Sequence, residues 1–322
     1  MSDMTDKNKN VGAILKRKTP VKKSEVIFLA VTLGLLAAHW AIIFVGGNLN
    51  SILLAFQRFD VQSYSYKFYT GKDLFTNFSR FFRELFAADG LGKYVFNGVM
   101  FHLVGIGIGY PLSLMFAYLI YKKLPGHKAF QILLYLPTIF SAMVVALLSK
   151  YFLERGVAAF TIKHFSLDLR GIFTDAKFNF GTLLIYTAYF AVPGNLLVNL
   201  GTMSRTPPEL VESGKLEGIS LWQEFVHLIL PMMYPVIEIQ CLGIFVGFFT
   251  AQGPLYAVYA DKAPVNVRTF GYWMFTSVVG DKSAKSMYGY TAAINLIIGV
   301  ISVPIVYLTK RLFDRFDPEA EF

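Results

Sequence analysis

The sequence predicts an all-α integral membrane protein with six membrane-spanning helices. Of its 322 residues 55% are apolar and only 16% are charged, whereas an ordinary soluble domain carries about a quarter charged residues. The charges are also segregated. No Asp, Glu, Lys or Arg lies between Glu25 and Arg58, Lys93 and Lys122, Lys128 and Lys150, Lys177 and Arg205, Glu238 and Asp261, or Lys285 and Lys310. Each gap leaves room for roughly 20 apolar residues, the length that crosses a ~30 Å hydrocarbon core as helix. Buried helices of a soluble core would show stretches of roughly 10–14 residues instead.

The tail 1–25 is basic (Lys7, Lys9, Lys16, Arg17, Lys18, Lys22, Lys23) and reads as an orientation signal. The formal charge of +9 is spread over loops, so it implies no nucleic acid. Spans are expected at 26–46, 97–121, 129–149, 179–200, 235–257 and 288–309, within a membrane domain of 26–310. The first is too long for a signal-peptide core and lacks a convincing cleavage site, so it is read as retained. The tail, the short link Lys122–Lys123–Lys128 and the C-terminal segment 311–322 are placed in the cytoplasm. On this topology the 30 basic residues, tail and link included, divide evenly between the two sides, so the short inner link and the tail decide the orientation.

The outer segment 47–96 is rich in aromatics. Phe75 to Phe86 has apolar residues at helical spacing around Arg80, Arg83 and Glu84, which predicts an amphipathic helix lying along the bilayer surface. The aromatics there read as an interfacial belt rather than a binding surface. In the second span Gly105 and Gly109 stand one turn apart and allow a neighbouring helix to approach closely. Pro111, Pro137 and Pro193 are expected to kink their spans. A single cysteine, Cys241, permits no intrachain disulfide. No catalytic residue or metal ligand is assigned.

Between spans four and five, residues 201–232 carry two start signals. Thr206-Pro207-Pro208-Glu209 has the form of a capping box with proline at the first helical position. That helix is expected to run to Glu217 and stop at Gly218, which tolerates a left-handed cap. Ser220-Leu221-Trp222-Gln223 is a second capping box, starting a helix that ends before Pro231. Ser213 and Gly214 would leave room for a partner surface to pack closely. On pattern alone, this helix–glycine–helix elbow serves equally well as a plain connector.

The elbow resembles the EAA loop of permeases in binding-protein-dependent ABC importers, whose pattern is E-A-A-x3-G-x9-I-x-L-P. Here it reads Glu212-Ser213-Gly214, Gly218, Leu228, Leu230 and Pro231 with every spacing kept. Ser213, Gly214 and Leu228 replace two alanines and an isoleucine. Pro207-Pro208-Glu209-Leu210 and Trp222-Gln223 look like the carbohydrate-uptake branch, similar to maltose-type and multiple-sugar permeases. Thr250-Ala251-Gln252-Gly253-Pro254 resembles the T-G-G-G-P signature, with two glycines replaced. Gly289-Tyr290-Thr291-Ala292-Ala293 resembles the G-Y-A-S-A opening of the last span.

The resemblance implies a division of labour. The elbow, through Glu212, Ser213, Gly214, Gly218, Trp222, Leu230 and Pro231, would couple to a cytoplasmic ATPase. The chain lacks G-x-x-x-x-G-K-[ST]; the nearest fragment, Gly90 to Lys93, lacks the first glycine. ATP and magnesium are therefore expected on the partner, with no cofactor on this chain, which is not an enzyme. Expected partners are a second related permease, two ATPase subunits, a sugar-binding protein and the lipid bilayer. The branch draws its substrate contacts from spans four to six, where the polar and aromatic candidates are Tyr186, Tyr189, Asn195, Phe249, Gln252, Tyr256 and Asn295. Aromatic faces suit sugar rings and amides suit hydroxyls, although ordinary helix packing explains each residue as well. Two alternatives remain. A proton- or ion-coupled carrier would keep ionisable groups at mid-membrane depth, and only His39 and His102 qualify. An ABC permease for an anion would need a basic lining, which the spans lack.

Overall fold

The computed structural model describes residues 23–88, 90–166, 168–279 and 284–316. The tail residues Lys7 to Lys22 and the last residues of the C-terminal segment lie outside these. The chain divides into two compact units, 1–54 and 55–322. In the first unit, helix α1 (Lys23–Ala55) carries a wider π turn at Ala41–Val45 and is exposed along most of its length. It is longer than the expected 26–46. Gly46 keeps helical angles, and the residues after it hold no charge or proline before Arg58. The segment 47–96 therefore begins as helix.

The second unit opens with a hairpin that the sequence pattern does not announce. Strands β1 (Gln57–Asp60) and β2 (Ser65–Phe68) pair antiparallel with Phe59 opposite Tyr66. Helix α2 (Thr76–Leu85) fills the expected amphipathic stretch, but one face packs on protein rather than lipid. Phe81 is buried with Phe270, Tyr290 and Ile294, and Asn77 donates to the carbonyls of Ala55 and Gln57. Phe75, Phe82 and Phe86 remain exposed.

The remaining elements are almost all helical: α3 (Gly92–Tyr121), α4 (His127–Ile139), α5 (Ala142–Phe165), α6 (Asn179–Met203), α7 (Pro208–Leu216), α8 (Leu221–Met232), α9 (Tyr234–Gly247), α10 (Leu255–Tyr259), α11 (Phe270–Val279) and α12 (Ala284–Arg315). Among the described residues four helices, α1, α3, α6 and α12, are long and apolar enough to cross a membrane. The number rises to six if each bent pair, α4 with α5 and α8 with α9, is one span.

Two expected spans are therefore not rods. The stretch 129–149 turns by 111° between α4 and α5. The corner lies at Phe140, which is extended, and Ser141, whose hydroxyl accepts from the Val144 N–H to cap α5. Pro137 sits inside α4, two residues before its end. The stretch 235–257 loses its helix at Gly247, passes Gly253 at φ +55°, and resumes only as the short α10. Its 14 helical residues reach ~21 Å at ~1.5 Å each, short of a ~30 Å core. Helix α11, absent from the expectation, follows in the loop before α12.

One core cluster joins α3, α6, α8 and α9 through Tyr118, Leu196, Phe225, Ile229 and Cys241. Gly109 is the point of closest approach: a Cβ there would lie 2.5 Å from the Ala191 Cβ. Gly105 has nothing within 4 Å, so only one of the two expected packing glycines is used. A buried polar chain crosses the same core. Ser113 donates to the Val192 carbonyl at 2.9 Å, Asn199 donates to Ser113 Oγ at 3.2 Å, and Gln240 donates to Asn199 Oδ1 at 2.9 Å.

Candidate functional site

The elbow forms as two helices around a left-handed glycine. Helix α7 starts after Pro207, whose backbone is extended enough to turn the chain, and no side chain caps it. The expected Thr206 capping box is therefore absent, because Pro207 takes the capping position and Thr206 is buried. Gly218 adopts φ +75° with open space around its Cβ position, so what matters there is backbone conformation rather than room. Ser220 and Gln223 form the expected reciprocal capping box of α8. That helix does not stop before Pro231. A π turn at Phe225–Ile229 widens the backbone just upstream, and the helix runs on to Met232. A proline ring clashes with the carbonyl four residues back, which such a wider turn relieves.

The sequence-predicted coupling residues divide by what they face. Gly214 is turned inward, where a Cβ would lie 2.6 Å from Ile219 Cδ1 and 3.1 Å from Leu228 Cδ1. It packs α7 onto α8 and offers no gap to a partner, which corrects the expectation for that position. Glu212 is exposed, and Ser213 is exposed with its hydroxyl donating to the Leu210 carbonyl. Trp222 is 66% exposed, beside Leu221, and Leu216 is 90% exposed. Leu230 and Pro231 are half-buried at the inner end of α8. The elbow thus presents apolar side chains to its surroundings while its glycine holds the fold.

Three residues at this site carry more structure than the sequence signalled. Lys122, at the end of α3, donates to both carboxylate oxygens of Glu224 at 2.8 Å. One turn earlier the Tyr118 hydroxyl donates to the Leu221 carbonyl at 3.0 Å. Glu224 shares the helical spacing of Phe225, Leu228 and Ile229, and a carboxylate on an apolar stripe signals a buried partner. Lys122 read only as an orientation charge.

The path candidates do not converge on one place. Tyr186 and Tyr256 line a cavity of about 640 Å³ with Phe140, Phe190 and Pro254. Tyr189 lines an adjoining apolar cavity of about 600 Å³, which Tyr186 also borders. Asn195 faces a smaller space of about 220 Å³ with His102 and Thr187, and its amide donates to the Ala191 carbonyl of its own helix. The His102 ring donates from Nδ1 to the Gly98 carbonyl and packs on Phe248. Phe249 packs edge-on to Phe270, Gln252 is half-buried, and Asn295 is exposed on α12; none of the three lines these cavities. No Lys or Arg borders any of them. Among the described residues no cluster of His, Cys, Asp and Glu could hold a metal ion.

Known proteins share this architecture. A chain of a bacterial alginate ABC transporter, solved in complex with an alginate pentasaccharide-bound periplasmic protein, superposes with a TM-score of 0.72. It is 18% identical, and the match covers 90% of this chain and 96% of that one. The arabinooligosaccharides transport system permease protein AraP of Bacillus subtilis (strain 168) is 19% identical over 213 residues, 65% of this chain and 67% of that protein. The sn-glycerol-3-phosphate transport system permease protein UgpA of Pectobacterium atrosepticum is 26% identical over 159 residues, 48% of this chain and 53% of that protein. Residues 109–321 match the family model, which takes in the C-terminal part of α3 from Gly109 and all of α4 to α12. With about two thirds of its length inside that match, including both helices of the elbow, the chain belongs to the binding-protein-dependent transport system inner membrane component family.

Proposed function

We propose that this chain is one permease subunit of an ATP-driven importer of sugars, most of all oligosaccharides. The elbow carries the reading: an inward-packed Gly214 and a left-handed Gly218 hold α7 and α8 so that Leu216 and Trp222 project as an apolar surface. Exposed large apolar groups in a cluster mark an interaction site, and the partner that fits is a cytoplasmic ATPase subunit. ATP and magnesium are then handled by that partner, two copies of it serving this chain and a second related permease. A sugar-binding protein delivers the substrate on the outer side. Each bent helix pair counts as one crossing, giving six, with both termini and the elbow in the cytoplasm. The cavities beside Tyr186 and Tyr256 line this chain's half of the path.

The sugar reading draws on the oligosaccharide relatives and on the absence of basic side chains around the cavities, which leaves a phosphorylated solute without a counter-charge. The UgpA likeness names the competing substrate. Reconstitution with the partner subunits decides between them: ATP-dependent uptake of an oligosaccharide is expected, and uptake of glycerol 3-phosphate alone would overturn the assignment. The isolated chain in liposomes should show neither ATP hydrolysis nor uphill uptake. A cysteine probe at Lys72 or Lys163 should react from outside intact cells and one at Lys215 should not. Outside labelling at Lys215 would reverse the topology.

A further inference from the structure

Lys122 and Glu224 are 102 residues apart in the chain and meet in the fold. Their side chains are nearly enclosed, 12% and 3% exposed respectively. Tyr118 stands one turn before Lys122 on α3, its hydroxyl on the Leu221 carbonyl and its ring 4.9 Å from the ring of Phe225. Two polar contacts and one aromatic contact therefore tie one turn of α3 to the first turns of α8. Removing one member of an enclosed ion pair leaves the other charge unsolvated, which is far more costly than losing an exposed pair. Helices α3 and α8 are thereby held to move as one piece.

The other routes out of the elbow are looser. Helix α7 meets α8 through the close approach of Gly214 to Ile219 and Leu228, a contact within the elbow rather than a route out of it. Covalent continuity leads from α8 to α9 only around a 71° corner, which bends before it transmits. The ion pair does not pass through that corner. We propose that Lys122 and Glu224 are a positioning pair that carries displacement of the elbow into α3, and through the close Gly109–Ala191 contact into α6. The proposal rests on the permease reading above. It assigns α3, which contributes no residue to the elbow, as the first membrane helix to respond when the ATPases close.

The test uses the complete complex in proteoliposomes, with ATP hydrolysis and sugar uptake measured on the same vesicles and normalised to assembled complex. Lys122→Met and Glu224→Gln leave Leu216 and Trp222 untouched, so ATPase binding persists. Transport per ATP hydrolysed is expected to fall roughly 5-fold or more, the lower end of coupling between linked sites. The exchanged variant Lys122→Glu/Glu224→Lys should bring the ratio back towards wild type. A purely structural pair would lower the amount of complex and leave the ratio unchanged; that result overturns the proposal, as does an exchanged variant no better than the single ones. If a single variant fails to assemble, Tyr118→Phe, which keeps the pair, is read in the same ratio. A smaller fall supports the proposal and a wild-type ratio overturns it. Absence of ATP-dependent uptake in the wild-type complex would instead defeat the permease reading itself.

Discussion

Gly109 on α3 and Ala191 on α6 face each other so closely that a Cβ on the glycine would lie 2.5 Å from the alanine Cβ and 2.9 Å from the Ala188 carbonyl oxygen. Backbone borders that space, so little can give way. Gly109→Val is expected to destabilise the chain by about 1–3 kcal/mol through overpacking, read as a lower midpoint of thermal unfolding in detergent. Gly105→Ala, with nothing within 4 Å, serves as the control and should leave the midpoint unchanged. Equal effects at both positions would mean that the two helices do not meet where the structure has them.

Gly218 poses a different constraint. Its φ of +75° is awkward for any side chain although the space is open. Gly218→Val should cost ~1–2 kcal/mol at that residue and reduce co-purification of the ATPase while leaving membrane insertion intact. Gly218→Asn should be milder, because Asn enters the left-handed region more readily. Wild-type assembly in Gly218→Val would make the elbow a simple connector.

Asn199 and Asn195 lie one turn apart on α6 but differ in their partners. Asn199 bridges Ser113 and Gln240 from two other helices, whereas the Asn195 amide bonds its own helix. Asn199→Leu should cost about 1 kcal/mol, the scale measured for polar contacts between membrane helices. Asn195→Ala should unfold at the wild-type temperature. A fall in uptake by Asn195→Ala at unchanged stability would identify it as a substrate contact.

The β1–β2 hairpin has a built-in acid limit. The Lys67 ammonium bound to Asp60, helped by the Ser63 hydroxyl and the Gln62 N–H, holds the Asp60 carboxyl well below the usual carboxylate range. A depressed carboxylate pKa stabilises the fold above the unfolded value of ~3.9, and this is lost as pH falls towards the folded value. Hydrogen-exchange protection of the β1 and β2 amides should therefore be steady from neutral pH to about pH 4 and decline below it. Asp60→Asn should start lower and show little of that decline; a parallel decline in the variant would place the acid sensitivity elsewhere.

The elbow was readable because its signals are local. The left-handed turn at Gly218 and the Ser220–Gln223 box each lie within four residues, where backbone sterics and one hydrogen bond decide the outcome. The charge-free gaps identified apolar segments correctly, but hydropathy reports solvation and not direction. It could not foresee the corner at Phe140–Ser141 or the interruption between Gly247 and Leu255. The sequence signal for that interruption is the cluster Gly247, Gly253 and Pro254, close enough together to end a helix. The hairpin leaves little mark on the sequence because its strands have four residues each and its turn, Val61 to Tyr64, lacks the usual Asn-Gly or Asp-Gly pair. The Lys122–Glu224 pair depends on a fold that brings distant segments together, so neither residue could announce its partner. Of the path candidates, Tyr186 shares one cavity with Tyr256 and the adjoining one with Tyr189, and the others share none; which residues of an apolar helix face a void is set by helix rotation, and rotation is fixed by neighbours.

Cys241, the chain's only cysteine, is 7% exposed within the cluster formed by α3, α6, α8 and α9. A thiolate adds to a water-borne maleimide only where the two can meet, and a thiol enclosed by apolar groups gives the reagent no access. The native chain is thus already a silent background for site-directed labelling. Two nitroxides, one placed on the elbow and one at the far end of α3, would report their separation by dipolar spectroscopy without any prior replacement of Cys241.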